Sequence, residues 1–254
     1  MGFAAASIEG PRIPPRANGE AKATLRRLLE RNGERLGLTQ SAVTSLVEAA
    51  LVNRVAAGRH LFAAEDASDF VSFLVDGVVK VVCDGPHGAP MTLLLARPGQ
   101  FIVTGWLFEG RPPRRAFGAV AHEAALVAMW SQQAIATMLD GLPPRRALQL
   151  MSYGWRAFSS LLRQKFVMLA MPVRDRLLHQ LQAIARDFGQ PGDGTPPGVL
   201  IPIRLTHGDL AELVVATRAN VTRAFAELRQ LGFVHVIDRR MVVTHRAPDA
   251  APAL

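Results

Sequence analysis

The 254-residue chain has a single cysteine, Cys83, and a single tyrosine, Tyr153. One thiol excludes a disulfide framework and any cysteine-rich zinc or iron–sulfur site, and it fits a reducing compartment. Long apolar runs are missing as well. No stretch approaches the roughly 18 residues that a membrane span needs, so no membrane insertion is expected. The opening MGFAAASIEGPRIPP has no basic start followed by an apolar block, so a secretory signal is not expected. The seven histidines show no H-x-x-x-H or H-E-x-x-H spacing, and no metal site is expected. A P-loop, a nucleophile elbow and a paired-carboxylate motif are also absent, so the chain is not expected to be an enzyme. Acids are scarce beside bases, 21 against 29, which leaves a net charge of +8. Hydrophobic residues make up 49% and charged residues 20%, a globular balance. The expectation is a soluble, cytoplasmic, basic protein. Its charge alone leaves nucleic acid, an anionic surface and an acidic partner open.

Residues 1–20 are rich in Pro, Gly, Ala and Arg without periodicity and read as a flexible extension. Helices are expected over Ala21–Glu30 and Gln40–Val52, the second capped by Thr39. From Val55 to Trp130 the pattern turns to short segments broken by turn residues. Phe70–Val75 and Val78–Val82 flank Asp76-Gly77, a hairpin signal. Further strands are expected over Met91–Ala96, Ala116–Val120 and Ala125–Trp130. Strands at this spacing point to an antiparallel sandwich or barrel. Cys83 follows an apolar strand and reads as a buried structural thiol. Trp106, Trp130 and Trp155 read as core or interface residues.

Pro143-Pro144 opens a long helix, since proline is tolerated where the first N–H groups lack partners. Leu148, Met151, Trp155, Phe158, Leu162, Phe166 and Leu169 follow at spacings of 3, 4, 3, 4, 4 and 3, a near-heptad stripe. Leu150, Leu161 and Met168 lie off it, so the helix has two faces to bury. Either a second copy of the chain covers the stripe, or both faces pack inside one chain. Another helix, Val173–Phe188, stops at Gly189, and a run of turn formers leads to Gly198.

The last sixty or so residues carry the most specific pattern. Thr206-His207-Gly208-Asp209 is a capping-box arrangement before a short helix, His207–Val214. After the turn Val215-Ala216, Thr217 caps a second helix, Arg218–Leu231, which ends at Gly232. Two short capped helices joined by about three residues read as a helix-turn-helix. At 100° per residue, Val221, Ala224, Phe225 and Leu228 face a core. Ala219, Thr222, Arg223 and Ala226 face away, with Arg218 beside them. Small residues let such a helix enter a major groove, and arginine can pair with guanine there. Thr217, Asn220 and Thr222 can bond phosphates or base edges, and Ala219 can touch a thymine methyl. A hairpin follows, whose turn, Asp238-Arg239-Arg240, sets Arg239 and Arg240 beside a phosphate backbone. The other reading of the same residues is a small helical domain with a solvated basic turn.

These elements together resemble the CRP/FNR family of bacterial transcription regulators over about residues 45–245. The resemblance rests on Gly58-Arg59-His60-Leu61-Phe62, Phe73–Val81, Arg97-Pro98-Gly99-Gln100-Phe101, Leu205–Leu213 and Thr217–Ala224. It implies an α+β chain with an N-terminal antiparallel β-roll, a long dimerisation helix and a C-terminal winged helix-turn-helix. The implied divisions are an extension over 1–20, helices and an effector β-roll over 21–140, a dimerisation helix over 141–171 and a DNA-binding domain over 172–254. It also implies a homodimer on palindromic double-stranded DNA, with RNA polymerase as a further partner. Arg218 and Arg223 match the family's two recognition arginines, but Ala219 stands where many members carry an acid. A preferred operator that differs at that base pair is therefore expected.

In cyclic-AMP-binding relatives, a Gly-Glu-Leu segment and an Arg-Ser pair hold the nucleotide. Here Thr104 replaces the ribose acid, and Arg114 falls at the phosphate position with Arg115 beside it. That departure argues against cyclic AMP and leaves the effector unassigned. The two arginines can still hold an anion. From a different class comes the reading of a ligand-binding sensor whose winged helix serves protein contacts.

Overall fold

The computed structural model describes residues 15–64, 66, 70–85, 88–102, 116–191 and 197–244, with the side chains of 15–17 set aside. The chain divides into two units, residues 1–160 and 161–254.

The first unit is built around eight strands: β1 Leu51–Val55, β2 His60–Phe62, β3 Phe70–Asp76, β4 Val79–Asp84, β5 Pro90–Ala96, β6 Phe101–Ile102, β7 Gly118–Ala121 and β8 Ala125–Ser131. They form two antiparallel sheets, ordered β1-β8-β3-β6 and β2-β7-β4-β5. Three helices accompany them: α1 Pro15–Leu36, α2 Gln40–Ala49 and α3 Gln132–Asp140. The near-continuous apolar run at Phe70–Val75, broken only by the buried Ser72, reflects a strand covered on both faces. Val71, Phe73 and Val75 join the helices in one core, while Leu74 joins the other sheet in a second. In β8, Ala128 and Trp130 face the helix side, and Ala125, Val127 and Met129 face the second sheet. Trp130 is fully buried, and its indole N–H donates to the Leu46 carbonyl at 2.6 Å. Cys83 on β4 is half-buried rather than buried.

Several expectations are corrected here. Asp76-Gly77 is not a hairpin. β3 and β4 lie in different sheets, and the chain passes between the layers at this point. Gly77 has φ +87, and a Cβ there would collide with the Ala124 carbonyl oxygen, so both conformation and space demand glycine. Helix α2 keeps its Thr39 cap but ends at Ala49, because Leu51–Val55 pair with β8 from Leu51↔Met129 to Val55↔Ala125. Helix α1 begins at Pro15, inside the span expected to be an extension, and runs on to Leu36.

Helix α4, Pro144–Leu169, contains the division between the units. The second unit continues with α5 Val173–Phe188, β9 Gln190–Pro191, β10 Val199–Ile201, α6 His207–Val214, α7 Arg218–Gln230, β11 Val234–Ile237 and β12 Arg240–Val243. Its strands make one antiparallel sheet, β11-β12-β10-β9. Helix α5 packs against both α6 and α7 and buries Leu177, Leu181 and Ile184. The whole is a mixed α+β chain: β-roll, long helix, winged helix-turn-helix. No helix among the described residues is long and apolar enough to cross a membrane. Nor do the described residues contain a group of three or more His, Cys, Asp or Glu placed to hold a metal ion.

Candidate nucleic-acid interface

The interface grows from local capping chemistry. Thr206 and Asp209 close a reciprocal capping box at the start of α6: the Thr206 N–H donates to Asp209 Oδ2 at 2.7 Å, and the Asp209 N–H donates to Thr206 Oγ1 at 3.1 Å. At the far end of α6, Val215 adopts the left-handed conformation, φ +52, which ends the helix and turns the chain. The last carbonyls of a helix have no internal partners and carry partial negative charge. Here cations take them. Lys165 Nζ donates to the Leu213 carbonyl at 3.3 Å, and Arg176 donates to those of Val214 and Val215 at 3.0 and 3.3 Å. Two residues later Thr217 caps α7, accepting from the Asn220 N–H at 3.2 Å.

Helix α7 then shows two chemically different sides. Val221, Ala224, Phe225 and Leu228 are buried. Thr217, Arg218, Ala219, Thr222, Arg223 and Ala226 are exposed, and Asn220 is half-buried. The Arg223 guanidinium donates to Asn220 Oδ1, so both side chains are set before any partner arrives. The Thr222 hydroxyl donates to the Arg218 carbonyl, one turn back, at 2.9 Å. Its single proton is thereby used, so the 2.9 Å contact to His207 Nδ1 makes the imidazole the donor. That fixes the proton on Nδ1 and leaves Nε2 for an outside partner. The His207 ring also lies 5.0 Å from that of Phe225. Sequence reasoning missed His207, which it treated only as the first residue of α6. It also missed Lys165 and Arg176, which hold the turn.

The wing follows. Asp238 and Arg239 both have positive φ, +48 and +62, the backbone of a tight two-residue hairpin turn. Arg239 stands at its tip. Arg240, expected in the turn, is instead the first residue of β12 and pairs with Ile237. Both arginines are exposed.

On α4, every stripe residue named from the sequence is exposed: Leu148, Met151, Trp155, Phe158, Leu162, Phe166 and Leu169, from 41% for Leu162 to 68% for Trp155. Off the stripe, Leu150 packs on the core of the first unit, and Met168 is buried. The effector candidates Thr104, Arg114 and Arg115 lie outside the described residues, as does Trp106.

A β-roll, a long helix and a winged helix-turn-helix with an uncovered cationic face define a DNA-binding transcription regulator. Comparison with known proteins agrees. A cyclic nucleotide-binding domain matches residues 52–141, and a Crp-like helix-turn-helix domain matches residues 175–249. The Global nitrogen regulator of Synechocystis sp. is 26% identical over 186 residues, 72% of this chain and 80% of that protein. Two solved structures share the fold. The c-di-GMP-responsive global regulator CLP of Xanthomonas campestris has a TM-score of 0.65 at 16% identity, over 81% of this chain and 99% of that one. FixK2 from Bradyrhizobium japonicum has a TM-score of 0.66 at 17% identity, over 80% and 99%. The chain belongs to the CRP/FNR family of transcription regulators.

Proposed function

We propose that the protein acts in the cytoplasm as a homodimer, paired along α4, that reads a two-fold symmetric operator. The observation that carries this is the exposed α4 stripe. Burying a large apolar side chain contributes about 1.5–3 kcal/mol, and these are already partly covered. Seven from each protomer still supply on the order of 10–20 kcal/mol, comparable to or above the roughly 4–15 kcal/mol that association costs.

Arg218, Asn220, Thr222 and Arg223 then read base edges, while Thr217, His207, Arg239 and Arg240 bond phosphates. Ala219 sits closest to the groove floor and offers only a methyl group. A cytosine amino group opposite it finds no carboxylate, so the preferred half-site departs from that of acid-bearing relatives. Thr104, in place of the ribose-holding acid, supports control by something other than cyclic AMP. RNA polymerase is the partner through which a DNA-bound dimer changes transcription.

The test is selection from a pool of random duplexes with the purified full-length protein. An inverted repeat should emerge, its half-site centres one helical turn, about 34 Å, apart. Failure to enrich any symmetric sequence at low salt would overturn the reading and favour a sensor whose winged helix serves protein contacts.

A further inference from the structure

The N-terminal half of α4 carries a second surface, turned away from the apolar stripe. At 100° per residue, Gln149, Tyr153 and Arg156 lie about 150° around the helix from the stripe's centre. Together with Arg35 of α1 and Ala157 they line an open cleft of about 420 Å³. Pairing along the stripe therefore leaves this cleft uncovered.

Its backbone frame is held by close packing and hydrogen bonds. Gly37, just past α1, has φ +72, and a Cβ there would meet the Arg146 carbonyl oxygen at 2.5 Å, so the two backbones are in close contact. The Gln149 amide donates to the Glu34 carbonyl, and its oxygen accepts from Arg146 at 3.4 Å. Tyr153 packs on the hydrophobic core and forms the floor, with the Arg35 guanidinium 5.9 Å from its ring centroid. The charges are one-sided. Helix α4 carries Arg145, Arg146, Arg156, Arg163 and Lys165 and no acidic residue. Neither Arg35 nor Arg156 has a carboxylate partner among the described residues.

Two exposed arginines from two helices thus line one open cleft, and neither is paired with a carboxylate among the described residues. Guanidinium forks match tetrahedral oxyanions and bind them with charge-assisted hydrogen bonds. We propose that this cleft is a phosphate-binding site, taking either free phosphate or the phosphoryl group of a small soluble ester. Its lining includes none of the residues assigned to DNA reading or to effector binding, and it does not depend on the operator reading.

The experiment is calorimetric titration of the full-length, DNA-free protein at constant ionic strength, with inorganic phosphate in one arm and glycerol phosphate in the other. Saturable binding at one site per protomer is expected. Arg35→Gln and Arg156→Gln should each weaken it at least tenfold. Arg163→Gln, on the same helix, and Arg239→Gln, on the wing, should leave it unchanged. Tighter binding of the ester assigns the site to a phosphorylated metabolite, and equal binding assigns it to free phosphate. Arg35→Lys keeps the charge without the fork and should fall between. Thermal melts check that the variants stay folded. No saturable binding in either arm would overturn the proposal. So would binding that survives the Arg35→Gln/Arg156→Gln double variant or is lost in Arg239→Gln.

Discussion

Helices α4 and α7 each leave one face uncovered, and the two faces are chemical opposites. On α4 the uncovered side chains are large and apolar: Trp155, Phe158, Phe166 and their neighbours. On α7 they are small, polar or cationic: Ala219, Thr222, Arg223, Ala226. Exposure alone therefore says little, and what is exposed says what is missing. An apolar stripe of this extent is unfavourable in water and calls for a permanent cover. A slim, arginine-bearing face is stable in water and can wait for an intermittent, anionic partner. On the proposed reading, one face assembles the protein and the other operates it.

The largest expected effect comes from breaking the apolar face. Trp155→Asp places a charge at the centre of the stripe. Sedimentation should show a monomer, with far-UV circular dichroism unchanged because Trp155 is 68% exposed within one chain. Operator affinity should fall on the order of 100-fold or more, since the two half-sites are no longer bound by one linked particle. A variant that stays dimeric would move the interface off this stripe.

Next comes the cationic face. Arg223→Ala should cost about 1–3 kcal/mol and relax the preference at one base pair, read by competition binding on single-base operator variants. Asn220→Ala should cost less than additively with it, because Asn220 already accepts from that guanidinium. Arg239→Ala should weaken all sequences alike and lower the salt slope by about one. If Arg223→Ala instead gave a uniform loss, it would be a phosphate contact and the reading of α7 would be wrong at that residue.

A smaller effect tests the turn between α6 and α7. Val215 is a β-branched residue held at φ +52, a conformation that costs such side chains about 1–3 kcal/mol. Its side chain is 48% exposed. Val215→Gly should raise stability by about 1 kcal/mol after the extra freedom of glycine in the unfolded chain is subtracted. Denaturant titration reads this, and a lower midpoint would mean that the valine side chain makes contacts worth more than the strain.

The second unit was far more legible in the sequence than the first. Helices α5, α6 and α7 match their expected limits to within a residue, because Thr206, Asp209, Thr217 and Gly189 act on their own neighbours. The exposed half of α7 needed only helical periodicity. In the first unit, whether Leu51–Val55 continued a helix or began a strand was decided by β8, more than seventy residues away. The local signal at Asp76-Gly77 marked a turn but carried no information about which strands the turn would join. His207 was missed for the same reason: its bond to Thr222 spans fifteen residues and joins two helices.

The smallest effect lies beneath the cationic face, in α5, which packs against α7. His179 there is half-buried, with Nδ1 enclosed and unpartnered. Burial lowers its pKa below the ordinary histidine value, and the nearby charge of Arg186 lowers it further. A lowered value means that the folded state holds the ring neutral at a pH where the unfolded chain has begun to take up a proton. The contribution to stability is therefore full above the unfolded value, about pH 6.5, and is lost as the pH falls through the folded value. Thermal melts from pH 8 to pH 5 should show the wild type losing stability on the acid side, and His179→Gln should flatten that loss. The operator preference selected at neutral pH should not move, because His179 lies on α5 and is not among the residues assigned to base or phosphate contacts. If the acid-side slopes of wild type and variant coincide, the burial of His179 is not what makes this unit sensitive to acid.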